Sequence, residues 1–208
     1  MIHSYCAELS SPPLPVLQEL ERATHLRTIS PQMMSGPHQG LLLQFISHML
    51  QPRRILEIGA FTGYASICLA QGLPHDGHLH TIEVDDKLGP IFREFVAKAG
   101  LNHKISLHHG DAASIVPTLG DEPFDLVFLD AGKLDYLNHY ELLLPRLRPG
   151  GFLLIDNVLW DGKVPNPLSS DATAIYLRNF NAHVHADPRV ENLILPLRDG
   201  LMMVRKKT

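Results

Sequence analysis

The sequence predicts an α/β fold, an open and mostly parallel sheet with helices on both faces and an antiparallel hairpin at its end. Two observations carry this. From Arg53 onward, short apolar runs alternate with longer amphipathic stretches, as strands and crossover helices do in a parallel sheet. Near the end, strand-like runs at 190–196 and 201–205 flank Leu197-Arg-Asp-Gly200, whose Asp199-Gly200 pair signals a hairpin.

In chain order, Ser10-Ser-Pro-Pro-Leu-Pro15 halts regular structure, and Leu14, Leu17, Leu20 and Ala23 at three-residue spacing then predict a short helix. After Gly36-Pro-His-Gln-Gly40, the stripe Leu41, Leu42, Leu43, Phe45, Ile46, Met49 and Leu50 predicts a second helix, ending before Pro52. Strands are expected at 54–58, 79–83, 105–109, 124–130 and 151–156, and helices at 64–72, 87–99, 112–119, 136–144 and 172–185. Composition does not break along these five βα units. One domain over 1–208 is therefore expected, with N-terminal helices in 1–52 and the α/β core in 53–208.

Composition narrows the function. The chain has 208 residues, 18 basic and 22 acidic, a net charge of −4, and 45% hydrophobic residues, an ordinary globular balance. No apolar run approaches the roughly 18 to 20 residues of a membrane helix. The first nine residues lack a basic and then apolar leader pattern, and Cys6 and Cys68 alone make no disulfide framework, so a cytoplasmic location is expected. Basic residues cluster only at Arg205-Lys-Lys207, which leaves no nucleic-acid footprint.

The chemistry collects at predicted strand ends. Glu57-Ile-Gly59-Ala-Phe-Thr-Gly63 places an acid and two glycines at a strand-to-helix turn, where backbone can approach a ligand. The second strand ends in Glu83, placed to accept from ribose hydroxyls, and the third runs into Gly110-Asp111-Ala112, where a carboxylate could accept from an adenine amino group. Together these predict a nucleoside pocket, although strand-end acids also serve as helix caps. The fourth strand ends in Asp130-Ala-Gly-Lys133 and the fifth in Asp156-Asn157. Two carboxylates and an amide are oxygen ligands suited to Mg²⁺, with Mn²⁺ or Ca²⁺ as substitutes, or else helix caps and a turn residue. Histidines 75, 78, 80, 108 and 109 are not expected to share a metal, since strand alternation sends neighbouring side chains to opposite faces.

The strings Leu56-Glu-Ile-Gly-Ala-Phe-Thr-Gly-Tyr64, Phe128-Leu-Asp-Ala-Gly-Lys133, Gly150-Gly151 and Ile155-Asp-Asn-Val-Leu-Trp-Asp-Gly162 resemble the cation-dependent class I S-adenosylmethionine O-methyltransferases of the catechol and caffeoyl-CoA type. The likeness runs from about Met33 to Arg205 and includes Phe180-Asn181, Asp187-Pro-Arg189 and Leu195-Pro-Leu-Arg-Asp-Gly200. It implies a Rossmann-like, seven-stranded sheet with an antiparallel last strand, and S-adenosylmethionine and Mg²⁺ as cofactors. By position, Glu57, Gly59 and Gly63 would form the methionine-side loop, and Ser35 would touch the methionine carboxylate. Glu83 would hold the ribose, and Asp111 and Ala112 the adenine. Asp130, Asp156 and Asn157 would ligate the metal, with Asp130 bordering the cofactor as well, and Lys133 would be the catalytic lysine. A homodimer is also implied.

Two positions depart from the family pattern. Gly132 stands where many members have a second acid, and Ala65 where many have Ser. The reaction expected is methyl transfer to a hydroxyl of a small vicinal dihydroxy aromatic, favoured over CoA esters because little chain precedes the first predicted helix. The alternatives are a hydroxylated tRNA uridine as acceptor, against which the acidic balance speaks, and a non-catalytic cofactor-binding protein, against which the intact ligand set speaks. Trp160 would either wall the acceptor pocket or simply pack, and Cys68 is expected to be inert core.

Overall fold

The computed structural model describes residues 2–208, with side chains from Tyr5 onward. Seven strands form one sheet in the order β3-β2-β1-β4-β5-β7-β6. They are β1 (Arg54–Ile58), β2 (His78–Glu83), β3 (Ile105–His109), β4 (Phe124–Leu129), β5 (Leu147–Ile155), β6 (Val190–Leu195) and β7 (Leu201–Lys206). β7 runs antiparallel to both β5 and β6, so the hairpin closes the sheet with its second strand placed inside. The helices are α1 (Ile2–Glu8), α2 (Pro15–Arg27), α3 (Gly36–Leu50), α4 (Tyr64–Ala70), α5 (Gly89–Lys98), α6 (Ala112–Ile115), α7 (Tyr136–Leu143) and α8 (Ala172–Ala186). Among the described residues, none of them is long and apolar enough to cross a membrane.

The chain forms two compact units, each drawing on two stretches. The first takes the residues up to Arg53 together with Ala60–His109. Leu17 and Leu20 of α2, Leu43 and Ile46 of α3, all of α4, and Phe92 and Phe95 of α5 are buried there. α3 and α4 pack closely because Gly40 has no side chain: a Cβ there would lie 2.6 Å from the Tyr64 ring and 2.9 Å from Cys68 Sγ. Cys68, at 1% exposure, is core. β2 and β3 pair in parallel from Leu79↔Ile105 to Glu83↔His109.

The second unit takes Arg54–Gly59 and Gly110–Thr208. β1 pairs with β4 from Ile55↔Leu126 to Ile58↔Leu129, and β4 with β5 up to Leu129↔Ile155, so these three strands end level with one another. Phe124, Leu126–Leu129, Leu153–Ile155, Tyr136, Tyr140 and Leu177 are all at most 1% exposed, which makes this stretch of sheet the core of the unit.

Three elements differ from the sequence expectation. The helix expected at 87–99 is a 3-10 turn, Asp86–Leu88, followed by α5, and the one at 112–119 is α6 followed by a 3-10 turn, Val116–Thr118. Pro90 and Pro117 sit at the start of the second piece in each pair, where a missing N–H is tolerated but an unbroken ladder is not. β5 begins at Leu147 rather than 151, because a register shift lets Leu147 pair with Phe124 ahead of the Pro149-Gly150 kink. α1 was not expected at all.

Candidate active site

Backbone ladders fix the polar residues of the second unit before any side chain acts. The Asp130 amide donates to the Ile58 carbonyl at 2.9 Å, and the Asp156 amide donates to the Leu129 carbonyl at 3.0 Å. Each aspartate thus follows directly on its strand, at the C-terminal edge of adjacent β4 and β5. Asp156 is 3% exposed, and its Oδ1 accepts the Asn157 N–H at 2.8 Å. Asn157 has φ +57°, a left-handed conformation that Asn tolerates better than most residues.

Lys133 lies in a 3-10 turn, Lys133–Asp135, directly before α7. Its ammonium donates to Asp130 Oδ1 at 2.6 Å and to the Tyr136 hydroxyl at 2.9 Å, and it lies 5.2 Å from the centre of the Tyr136 ring. The Tyr136 hydroxyl in turn donates to the Asp156 carbonyl at 2.9 Å. Burial pushes the Tyr136 phenol pKa well up, and the negative charges of Asp130, Asp156 and Asp199 push it further the same way. The phenol therefore stays protonated and holds the lysine in place. Sequence reasoning missed both Tyr136 and Asp199. Tyr136 is visible only as an aromatic three residues after Lys133, and Asp199 only as a turn residue.

The glycine of the first loop is sterically required. Gly59 has φ +96°, and a Cβ there would fall 2.0 Å from the Asp130 carbonyl oxygen. Glu57, two residues before it, is fully buried. Asp111 caps α6, accepting the Ser114 N–H at 3.2 Å, with Ala112 buried behind it.

In the first unit, both Glu83 oxygens receive backbone donors: Oε2 from Phe61 N–H at 2.8 Å and Oε1 from Asp85 N–H at 3.0 Å. The carboxylate is thereby oriented, with lone pairs to spare. Gly63 heads α4, its N–H donating to the Ala60 carbonyl at 2.9 Å, and buried Ser35 heads α3. Tyr64, buried beside Cys68, has its phenol pKa raised by that burial.

The histidines behave differently from expectation. His78 and His80 are two apart and share a face, and His80 Nδ1 lies 3.1 Å from His108 Nε2 across the β2–β3 pair. A second polar cluster, Glu141, His183 and Asp187, is gathered around Arg189. The Arg189 guanidinium holds the Asp187 carboxyl far below the usual range, so the cluster serves as an ion-paired brace.

Comparison with known proteins places this arrangement. The O-methyltransferase family model matches residues 7–207. A catechol O-methyltransferase from Niastella koreensis is 35% identical over 170 residues, covering 80% of this chain and 77% of the relative. A caffeoyl-CoA O-methyltransferase from Petunia hybrida is 31% identical, covering 84% and 76%. Among solved structures, the O-methyltransferase TomG from Streptomyces achromogenes, determined in complex with SAM, superposes with a TM-score of 0.90 at 32% identity, covering 100% of this chain and 96% of that one. The chain belongs to the class I O-methyltransferase family, whose members use S-adenosylmethionine.

Proposed function

We propose that this enzyme methylates one hydroxyl of a small vicinal dihydroxy aromatic in a divalent-cation-dependent reaction, with Lys133 as the base. The observation that carries this is the Lys133 ammonium 2.6 Å from Asp130, at the strand edge where Asp156 and Asn157 also emerge. The donor set fits a hard cation, since two carboxylates and an amide oxygen stand together without a sulfur or imidazole ligand. Three aspartates raise the Tyr136 pKa together, a concentration of negative charge that a cation would offset. A bound Mg²⁺ would hold two vicinal oxygens and lower the pKa of the hydroxyl to be methylated.

The chain's own residues do the rest. Asp130, Asp156 and Asn157 fix where the acceptor oxygens sit. Lys133, anchored by Tyr136, takes the hydroxyl proton at Nζ once its hold on Asp130 is loosened. In-line displacement at the sulfonium methyl needs the oxygen about 3 Å away, so positioning accounts for much of the rate. For S-adenosylmethionine, the donor of the methyl group, the residues assigned are Glu57, Gly59, Asp111, Ala112 and Asp130 in the second unit and Ser35, Gly63 and Glu83 in the first.

The test is product detection by mass spectrometry after incubation with S-adenosylmethionine and 3,4-dihydroxybenzoate, with Mg²⁺ in one arm and EDTA in the other. Monomethylated product with Mg²⁺ alone is expected. Equal product in both arms would overturn the cation's role while leaving the methyl transfer.

A further inference from the structure

We propose that Asp199 is a positioning residue, orienting the Asn157 side chain so that its carbonyl oxygen is the atom offered to the cation. The proposal rests on the cation site described above. Asn157 Nδ2 donates to Asp199 Oδ2 at 3.4 Å, the long end of the hydrogen-bond range. An ionised carboxylate has only lone pairs to offer. The amide must therefore turn its NH₂ toward Asp199, and a flipped amide would set oxygen against oxygen. Of the two orientations open to Asn157, Asp199 selects the one that leaves Oδ1 for a metal.

Asp199 is itself held firmly. Its Oδ1 accepts the Asp161 N–H, and its carbonyl accepts the Leu159 N–H at 2.8 Å. Next to it, the Gly200 carbonyl accepts the Val158 N–H at 3.0 Å, while the Gly200 N–H closes the turn onto the Leu197 carbonyl at 2.8 Å. The hairpin turn between β6 and β7 is thus zipped to the segment that follows β5. That segment needs a clamp, because Asn157, Trp160 and Asp161 all carry positive φ, at +57°, +48° and +52°. Left-handed backbone at three non-glycine residues persists only where surroundings impose it. One carboxylate reaches both ends of the strained stretch, the Asn157 amide and the Asp161 N–H.

The experiment measures Mn²⁺ dissociation constants by electron paramagnetic resonance for the wild-type chain, Asp199→Asn, Asn157→Ala and the double variant. Asp199→Asn keeps the size but sets an NH₂ against one of its two donors. Its Mn²⁺ affinity should fall about 10- to 100-fold, as for other partners that orient metal ligands. In the Asn157→Ala background the same change should have no further effect, because nothing remains to be oriented. An unchanged affinity in Asp199→Asn, or an equal loss in both backgrounds, would overturn the positioning role and leave the cation site standing. Failure of the wild-type chain to bind Mn²⁺ would overturn both. A second readout needs no folded Asp199 variant. In the amide NMR spectrum of the metal-free wild type, the Asn157 side-chain pair, identified by its loss in Asn157→Ala, should show one proton shifted downfield by the carboxylate. A pair at the positions of solvent-exposed asparagines would contradict the proposal.

Discussion

Gly59 shows how narrow the tolerance is at the scale of one residue. Its φ of +96° already disfavours any side chain, and the Asp130 carbonyl occupies the space a Cβ would need. Gly59→Ala should therefore destabilise the protein by at least about 2 kcal/mol, measurable by urea denaturation, from backbone strain and the forced shift of β4's end. An alanine variant of wild-type stability would show that the loop has another conformation available. The individual polar residues of the site were legible in the sequence because each sits where a strand ends, a position that the apolar run itself marks. Asp130, Asp156 and Asn157 needed nothing more. Tyr136 and Asp199 were not legible in their roles, since what they do depends on partners 20 and 42 residues away in the chain, Asp156 and Asn157.

Among the elements, the junction of α7, α8 and β6 rests on one ion pair. Asp187 follows α8 and receives Arg189 Nε at 3.0 Å on both oxygens, the Arg189 N–H at 2.8 Å and the Tyr140 hydroxyl at 2.8 Å. These donors depress its pKa, with the Arg189 hydrogen bonds the largest cause. A depressed carboxylate stabilises fully above its unfolded pKa of about 3.9 and loses that contribution as pH falls through the folded value. Asp187→Asn should therefore cost about 2 kcal/mol at neutral pH. The gap from wild type should narrow below about pH 4 in parallel denaturation curves. A gap that persisted undiminished at the acid end would assign the effect to packing instead. At this scale the periodicity reading succeeded for every strand and failed at the proline-split helices, because hydrophobic spacing is blind to a missing N–H. It also missed α1, whose Ile2–Glu8 stretch carries no signal at either end.

Across the whole molecule, the order β3-β2-β1-β4-β5-β7-β6 reverses direction between β1 and β4. Ligands of open α/β sheets bind beyond the strand ends at such a reversal, and here Gly59 and Asp130 flank it. The hairpin's antiparallel pairing could be read from Asp199-Gly200, but the placement of β7 between β5 and β6 could not, because local turn chemistry fixes a pair and not its neighbour. A ligand that binds only the folded chain stabilises it by mass action. S-adenosylhomocysteine at about 100 times its dissociation constant should add about 2.7 kcal/mol, a rise of roughly 5 to 11 °C in Tm for a chain of this size. An unmoved Tm would contradict binding at that concentration.

The central claim, that Lys133 removes the proton from a cation-held hydroxyl, is tested most directly by varying the acidity of the acceptor in Lys133→Ala. With catechol the variant should lose roughly 10² to 10⁴ in kcat at unchanged S-adenosylhomocysteine affinity. With 4-nitrocatechol, already ionised near neutral pH, most of that loss should disappear. An equal loss with both acceptors, or none with either, would contradict the assignment of Lys133 as the base.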